Sequence, residues 1–297
     1  MDVSLRQLEY FVAVAEHLSF RNAADACFVT QPGLSSQIKE LETLLGVRLF
    51  ERSQRSVLVT PSGEHLLPLA RSMLAAADEF VDVARSLTQP LSGTLRLGVI
   101  PTIAPYLLPQ ALLGLRRSHP QLRILLHEGQ TQDLLQLLLH GKLDVLLLAL
   151  EADLGNVTTF PLAKDHFVLA MAENHGLAKR KLVSQADIAG EQVLLLEDGH
   201  CLRDQALEVC QKSGASEIGN FRASSLTTLV QMVAGGIGIT LLPQMSLPVE
   251  ATPLNQLVIK PFQKPQPYRT IGLAWRTTSP REKEFRLLAA ALVPSQP

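Results

Sequence analysis

The feature that most constrains this chain is an alternation of apolar strands and helical stretches from about residue 94 to the carboxyl end. The segments with the composition of buried strands are TLRLGVI, LRILLHE, LDVLLLAL, VLLLE, GITLLP and TIGLAW. Helical periodicity predicts helices at 106–118, 131–140, 225–234 and about 281–293. Apolar strands separated by helices are typical of an α/β fold with a mainly parallel sheet covered on both faces. The pattern leaves open whether this region forms one large sheet or two lobes.

The first 60 residues, which we call the head, have no strand-like alternation and predict short helices instead. A first helix at Leu5–His17 carries one apolar face. Ser19 is an N-cap for a helix from Arg21 to Cys27, and Thr30 is an N-cap for a third helix that Gly46 ends. The third helix begins with Gln-Pro-x-x-Ser-Ser-Gln, whose small polar side chains suit contacts with base edges. This arrangement is typical of a helix-turn-helix.

The segment VRLFERSQRSVLVT follows the third helix and predicts a β-hairpin, the wing of a winged helix-turn-helix. Its basic residues are Arg48, Arg52 and Arg55. Positive charge there suits DNA phosphates. The head as a whole is not basic, because it contains six Lys or Arg and seven Asp or Glu. A plain structural three-helix bundle is therefore the alternative to a DNA-binding domain.

A longer helix that starts at Thr60-Pro61 carries a heptad stripe. The stripe alternates steps of four and three over about three heptads; its members are Leu66, Ala70, Met73, Ala77, Phe80, Ala84 and Leu87. We expect a dimerisation helix with Leu66, Met73, Phe80 and Leu87 in its seam, and packing on the head is the alternative. Pro68 is expected to kink the helix or to shift its start. The turn-forming segment TQPLSG at 88–93 then predicts a hinge.

The stretch EDGHCLRDQALEVC places Cys201 and Cys210 nine positions apart in a segment with helical composition. In a helix their Cα atoms would lie roughly 13 Å apart, whereas a disulfide requires a separation below about 7 Å. Cys201 is expected at the helix N-terminus, where the helix dipole and Arg203 favour the thiolate. Oxidation of Cys201 followed by condensation with Cys210 would therefore unravel the helix and act as a switch. An inert pair of buried cysteines is the alternative.

Composition indicates a folded chain without an export or membrane segment. It is 46% hydrophobic and 19% charged, with a net charge of −1. The start, MDVSLRQLEYFVAVAEHLSF, lacks a secretory signal, and the run LDVLLLAL is far shorter than the ~20 residues of a membrane span. We expect a cytoplasmic protein. In that reducing compartment disulfides are usually transient, catalytic or sensing.

Other classes of site have little support in the sequence. The histidines are scattered, no CxxC exists and AGGIGIT at 234–240 matches no phosphate-binding loop, so we expect neither a metal nor a cofactor. Thr102 and Thr131 each follow a predicted strand, at the edge where open α/β sheets bind ligands. N-capping of the following helix explains both threonines equally well.

The residues now described carry a family resemblance. SFRNAADACFVTQPGLSSQIKELETLLGVRLFERS looks like the winged helix-turn-helix of LysR-type transcriptional regulators, and the likeness extends over essentially the entire chain. Further segments resemble the peroxide-sensing members of that family: IPTIAPYLLP, HEGQT, GKLD, LLLEDGHCLRDQALEVC, GIGITLLP and YRTIGLAWR. The cysteine segment is the most specific of these.

The resemblance implies a domain organisation. It places a winged helix-turn-helix at 1–60, a coiled-coil dimerisation helix at 61–88, a hinge at 89–93 and a regulatory domain at 94–297. The regulatory domain would have two α/β lobes like a periplasmic binding protein. Lobe I would comprise about 94–162 and 269–297, and lobe II about 163–268.

The resemblance also implies roles for individual residues. Cys201 matches the peroxide-reactive cysteine and Cys210 the resolving one, and the residues expected to hold or activate peroxide are Thr102, Thr131, His200 and Arg203. The expected DNA-binding residues are Arg21, Thr30, Gln31, Pro32, Ser35, Ser36, Gln37, Lys39, Arg52 and Arg55.

The function implied is a non-enzymatic transcriptional regulator that binds double-stranded DNA and takes hydrogen peroxide as its signal. Its expected assembly is a homotetramer built as a dimer of dimers, its expected partners are a thiol reductant system and RNA polymerase, and no membrane is involved. A LysR-type regulator controlled by a small organic effector between the lobes is the alternative. A thiol peroxidase that turns over is disfavoured, because a catalyst does not need a helix-turn-helix.

Overall fold

The computed structural model describes residues 3–52, 57–86, 90–252 and 256–292, and the chain divides into two compact units. The amino-terminal unit comprises Met1–Leu87 with His140–Lys142, and the carboxyl-terminal unit comprises the remainder. Within the described ranges, no helix has both the length and the apolar character needed to cross a bilayer. Arg55, Leu87 and Gln89 lie outside the described residues, as does the side chain of Arg52.

The amino-terminal unit is a helical domain with a small hairpin. Its elements are α1 (Leu5–His17), α2 (Phe20–Ala26), α3 (Gln31–Leu45), β1 (Phe50–Arg52), β2 (Val57–Val59) and α4 (Pro61–Ser86). The predicted N-caps are confirmed, because the side chains of Ser19 and Thr30 accept hydrogen bonds from backbone N–H groups in the first turns of α2 and α3. Gly46 ends α3 in the left-handed conformation. The head therefore has the predicted helix-turn-helix and wing.

The core of the head explains why these helices fold together. Leu34, Ile38 and Leu41 form the buried face of α3. They pack in one cluster with Phe11 and Phe50, whose rings meet edge to face at a centroid distance of 5.6 Å. Burial of this face fixes the orientation of α3 and leaves its opposite face to solvent.

Helix α4 uses its apolar stripe in two ways. Ala70 is buried in the core of the head and Leu66 packs at the edge of that core. Met73 and Phe80 are 50% and 78% exposed. Packing on the head thus accounts for part of the stripe, and Met73 and Phe80 stay uncovered. The helix runs continuously across Pro68 from Pro61, so Pro68 does not shift its start, and the alternative that Pro68 kinks the helix stays a prediction.

The carboxyl-terminal unit alternates strands and helices. Its strands are β3 (Gly93–Val99), β4 (Leu122–Glu128), β5 (Val145–Ala149), β6 (Val157–Ala172), β7 (Gln192–Leu196), β8 (Ser216–Ala223), β9 (Thr240–Pro243), β10 (Leu257–Pro261) and β11 (Tyr268–Arg276). Its α-helices are α5 (Ala104–Ser118), α6 (Thr131–Leu139), α7 (Cys201–Ser213), α8 (Leu226–Ala234), α9 (Leu247–Glu250) and α10 (Glu282–Leu292). Short 3₁₀ turns lie at Gly176–Lys179, Gln185–Ile188 and Gln244–Ser246.

The main sheet is mixed, so the prediction of a mainly parallel sheet is wrong. Its strand order is β10-β6-β11-β5-β3-β4, with β9 also paired to β6. The β3 pairs with β4 and β5 are parallel, whereas β6 and β11 pair antiparallel with each other and with their other neighbours. A separate parallel pair joins β7 and β8. The α/β character is confirmed. The antiparallel pairs involve β6, which the sequence pattern does not predict, and β11, which contains the predicted strand TIGLAW.

Two hydrophobic cores divide the carboxyl-terminal unit into two lobes. The first core contains buried residues from 91–154 and 271–292 together with Cys201, and the second contains other buried hydrophobic residues from 167–262. Strand β6 passes between them, because Val157, Phe160 and Leu162 pack on the first core while its later residues are buried in the second. The two lobes therefore share continuous strands where they meet.

Gly272 provides a test of this junction, because it lies at the bulge where β11 pairs with β6. A Cβ at Gly272 would approach Leu150 Cδ1 to 2.6 Å and the backbone oxygen of Phe160 to 2.7 Å. We expect Gly272→Ala to lower the free energy of unfolding by about 1–3 kcal/mol through overpacking. Urea unfolding followed by circular dichroism measures the change.

The matched control is Gly114→Ala in α5, where an added Cβ meets no described atom within 4 Å. Because alanine is the better helix former, this variant should gain about 0.5–1 kcal/mol. Equal stability of Gly272→Ala and the unsubstituted chain would contradict the close packing at the bulge.

Candidate functional site

Cys201 lies at the first residue of α7, directly after the loop that follows β7. Gly199 in that loop has a φ of 94°, and a Cβ there would lie 2.1 Å from Gln130 Oε1. Glycine is therefore the residue that this turn accepts. His200 is the N-cap residue of α7 and is itself buried. The loop thus delivers the thiol into the interior rather than to the surface.

Three predicted site residues, Thr102, Thr131 and His200, come together around the Cys201 thiol. Thr102 follows β3, Thr131 begins α6, and both line one small void with His200 and Cys201. Cys201 and Thr131 also line an adjacent cavity of about 300 Å³ that extends along α7. Cys201 is 8% exposed. The thiol is thus buried yet borders space that a small molecule can occupy.

The environment of Cys201 acts on its pKa in two directions. Burial raises the pKa of the thiol and is the largest influence. The positive charge of Arg269 and the neighbouring Thr131 hydroxyl oppose that rise. The net direction is upward, so the expectation of a thiol shifted toward thiolate by the helix N-terminus and Arg203 is wrong for this state.

Arg269 is the functional candidate that sequence analysis missed. It is fully buried near the start of β11, and its Nε lies 3.0 Å from Asp165 Oδ2 on β6. Its Nη1 donates to Thr102 Oγ1 at 2.9 Å and its Nη2 donates to the Thr102 carbonyl at 2.9 Å. Because Asp165 lies 104 positions away in the chain, no local pattern signals this pair. The arginine carries a fixed positive charge and positions Thr102.

Arg203 pairs with acidic side chains and not with the thiol. Its guanidinium donates to both carboxylate oxygens of Glu217 on β8, at 2.6 and 2.9 Å, and its Nε lies 2.9 Å from Asp198 Oδ1. The hydrogen bond from Arg203 is the main cause that lowers the pKa of Glu217. Arg203 therefore ties the first turn of α7 to β8 and to the preceding loop instead of acting on the thiol.

Cys210 lies on the same helix as Cys201 but in other surroundings. Cys201 belongs to the first core, whereas Cys210 is buried in the second. Burial, followed by the negative charge of Glu217, raises the pKa of Cys210 to about 11. Both are free thiols. Helical geometry keeps their Cα atoms roughly 13 Å apart, so no disulfide can form while α7 is intact.

The predicted DNA-binding residues of α3 cluster at its exposed N-terminal end. Thr30 accepts a hydrogen bond from the Gly33 N–H as the N-cap, and Gln37 donates to Glu40. Ser35 and Gln37 are half-buried, and the exposed members of the set are Arg21, Thr30, Gln31, Pro32, Ser36 and Lys39. This end of the helix is free to enter a groove.

Candidate metal ligands do not cluster among the described residues. In the parts of the chain that the structure describes, no group of three or more His, Cys, Asp or Glu side chains is arranged to hold a metal ion.

Comparison with known families covers both units. Residues 5–64 match the bacterial regulatory helix-turn-helix protein, lysR family. Residues 88–296 match the LysR substrate binding domain.

Individual relatives are similar over nearly their whole length. The chain is 47% identical over 290 residues to the DNA-binding transcriptional dual regulator OxyR of Escherichia coli (strain K12), which covers 98% of this chain and 95% of that protein. It is 46% identical over 286 residues to a probable hydrogen peroxide-inducible genes activator of Mycobacterium avium, with 96% and 92% covered.

Solved structures give the same likeness. A full-length OxyR variant from Pseudomonas aeruginosa matches with a TM-score of 0.77 and 34% identity, over 98% of this chain and 95% of that one. A mutant OxyR of Corynebacterium glutamicum bound to hydrogen peroxide matches with a TM-score of 0.68 and 39% identity, over 97% and 91%.

The contact between Thr131 and the thiol yields a pH-dependent prediction. The Thr131 hydroxyl is buried and lines the same void as the thiol, and among the described residues it makes no hydrogen bond. Because this hydroxyl lowers the pKa of Cys201, Thr131→Val should raise that pKa further. The pH profile of Cys201 alkylation should move to higher pH, measured in a background that carries Cys27→Ser and Cys210→Ser.

The control for that measurement is Thr159→Val, an exposed threonine on β6. This variant should leave the alkylation profile unchanged. A Thr131→Val profile identical to that of the parent, or one moved to lower pH, would show that the hydroxyl does not stabilise the thiolate.

Proposed function

The chain belongs to the LysR family of bacterial regulators, and from this membership we propose that it is a DNA-binding transcriptional regulator switched by hydrogen peroxide through Cys201 and Cys210. One observation carries the proposal. A buried thiol borders a cavity beside two threonines and a histidine, and a second thiol lies on the same helix, out of bonding range. Relatives named as hydrogen peroxide-inducible activators support the signal.

The redox chemistry has two steps, formation of a sulfenic acid and formation of a disulfide. The Cys201 thiolate attacks one peroxide oxygen, the O–O bond breaks, and the departing oxygen takes a proton to leave as water. The sulfur is oxidised to sulfenic acid and the peroxide is reduced. The Cys210 thiolate then attacks the sulfenic sulfur, the S–S bond forms, and the hydroxyl leaves with a proton as a second water.

The surrounding residues suit the first step. Arg269 would stabilise the thiolate as it forms and the negative charge that develops on the leaving oxygen. Thr131 and Thr102 offer hydroxyl groups to a bound peroxide, and His200 is a neighbour that can donate or accept a proton. Because burial raises the pKa of Cys201, these interactions stabilise the thiolate against a substantial opposing effect.

The second step is also the conformational signal. Cys210 can reach Cys201 only if α7 unwinds between them. Unwinding would remove Leu202, Ala206 and Val209 from the second core and would strain the Arg203–Glu217 pair. The chemistry at one sulfur would thereby be converted into a change in how the second lobe packs.

The output of the switch would be the DNA-binding head. The exposed start of α3, with Gln31, Pro32, Ser35 and Ser36, would read base edges in the major groove. Thr30 and Gln37 flank that end, and basic residues there and in the wing would contact phosphates: Arg21, Lys39, Arg52 and Arg55. In this proposal residues 1–60 form the winged helix-turn-helix, 61–88 the linker helix, 89–93 the hinge and 94–297 the regulatory domain.

Assembly would proceed through the uncovered part of α4. Met73 and Phe80 expose apolar surface at heptad spacing, together with Leu69 and Val81. We therefore include a homodimer through α4 in the proposal, with two dimers forming a tetramer. Recycling would need a thiol reductant that returns Cys201 and Cys210 to the free form, and transcriptional output would need contact with RNA polymerase.

The disulfide is the first test of the proposal. The reduced full-length chain is treated with equimolar hydrogen peroxide, digested and analysed by mass spectrometry without reductant. We expect a peptide pair joined through Cys201 and Cys210, because the sulfenic acid formed at Cys201 would condense with the thiol on the same helix.

One variant tests the role of Cys201 in that experiment, and a second serves as its control. Cys201→Ser should abolish both the joined peptides and the transcriptional response to peroxide, whereas Cys27→Ser should leave them intact. A regulator driven by an organic effector would keep its normal response in Cys201→Ser. Absence of the joined peptides in the unsubstituted chain would reject the peroxide mechanism.

The α4 interface is tested by charge. Phe80→Glu should halve the mass of the assembly in sedimentation equilibrium, because a carboxylate in the apolar seam would have to be buried without a partner. Leu44→Glu is the control, since Leu44 is 46% exposed on α3 and lies outside the seam. An unchanged mass for Phe80→Glu would remove α4 as the dimerisation element.

A further inference from the structure

The turn between α2 and α3 contains a large apolar side chain with almost no protein contact. Phe28 is 95% exposed, more than any other described large hydrophobic residue. It follows the C-cap residue of α2, Cys27, and precedes Thr30, the N-cap of α3, by two positions. An aromatic ring is therefore held in solvent beside the exposed end of the third helix.

The backbone at Phe28 is unfavourable as well. Its φ is 56°, in the left-handed region that glycine and asparagine adopt readily and that aromatic residues seldom adopt. The conformation is fixed by the turn, because the Phe28 N–H donates to the Asp25 carbonyl at 3.2 Å and the Val29 N–H donates to the Ala24 carbonyl at 3.0 Å. Neither the turn nor the packing requires a phenylalanine.

Phe28 differs from the two leucines of the described chain that also adopt a left-handed backbone. Leu91 also has a φ of 56°, but its side chain is buried in the first core, which accounts for its presence. Leu18 has a φ of 45° and keeps half of its surface covered. At Phe28 the folded chain gains no such contact. Strained residues of this kind concentrate at functional sites.

We propose that Phe28 packs on the apolar surface of duplex DNA when the head binds, and that this contact contributes to affinity. The partner surface is a thymine methyl group or a deoxyribose, the apolar groups that a duplex presents beside a helix in the major groove. The inference rests on the proposed DNA-binding function. It adds an apolar contact to an interface otherwise composed of polar and basic residues.

Surroundings of Phe28 favour DNA over a protein partner. Thr30, Gln31 and Pro32 continue the exposed surface toward α3, and no acidic residue lies in the first turn of that helix. A helix N-terminus carries partial positive charge and attracts phosphates. An aromatic ring at its edge would thus meet the sugar and base surfaces that accompany those phosphates.

The experiment uses the full-length chain and duplexes that the unsubstituted protein enriches from a random pool. Phe28→Asn should bind the enriched duplexes about tenfold more weakly, a loss of ~1.4 kcal/mol, in fluorescence anisotropy. Its melting temperature should be equal or higher, because asparagine tolerates the left-handed backbone. The control Leu18→Asn makes the same change at the other exposed left-handed residue of the head and should retain full DNA affinity.

Further measurements distinguish a thymine methyl contact from a deoxyribose contact, and failure of the inference from failure of the proposed function. If replacing thymine by uracil weakens the unsubstituted protein and removes its advantage over Phe28→Asn, the partner is a thymine methyl; if it does not, the partner is a deoxyribose. Affinity of Phe28→Asn within twofold of the unsubstituted chain overturns the inference. So does a fall in oligomeric mass, which would assign the ring to a contact between copies. Failure of the unsubstituted chain to enrich any duplex overturns the DNA-binding function itself.

Discussion

The buried pair between Arg269 and Asp165 is the interaction on which the redox site depends. It joins β11 to β6 where the two cores meet, and its remaining donors fix Thr102 beside the thiol. Asp165 also accepts from the Met245 N–H, so its second oxygen is occupied. Breaking such a pair by removing one partner costs about 3–5 kcal/mol. One arginine thus supports the junction of the lobes and supplies the charge that acts on Cys201.

Opposing effects act on both the pKa of Cys201 and the stability of helix α7. Burial raises the pKa of the Cys201 thiol, while Arg269 and Thr131 oppose that rise. The same balance applies to α7, which is held by the second core and by the Arg203–Glu217 pair but must open for a disulfide to form. Because these contacts are confined to α7 and its immediate neighbours, the helix can be stable in the reduced protein and still unwind when a disulfide forms.

Much of this architecture follows from local chemistry in the sequence. The caps Ser19, Thr30 and Gly46 fix the helices of the head, and α7 begins at Cys201 as expected. The sequence pattern does not predict strand β6, because Pro161, Lys164 and Asp165 interrupt its apolar residues. Arg269 could not be assigned, since its partners Asp165 and Thr102 are distant in sequence. Arg203 was placed beside the thiol on proximity along the chain, whereas its side chain turns toward β8.

The division of the two sulfurs between separate cores has a consequence in time. A covalent link between Cys201 and Cys210 does not dissociate when peroxide disappears, and each sulfur must return to its own core before α7 can reform. The oxidised regulator would therefore stay oxidised until a reductant supplies electrons to the disulfide. The onset of a response would depend on peroxide, and its duration would depend on the reducing capacity of the cell.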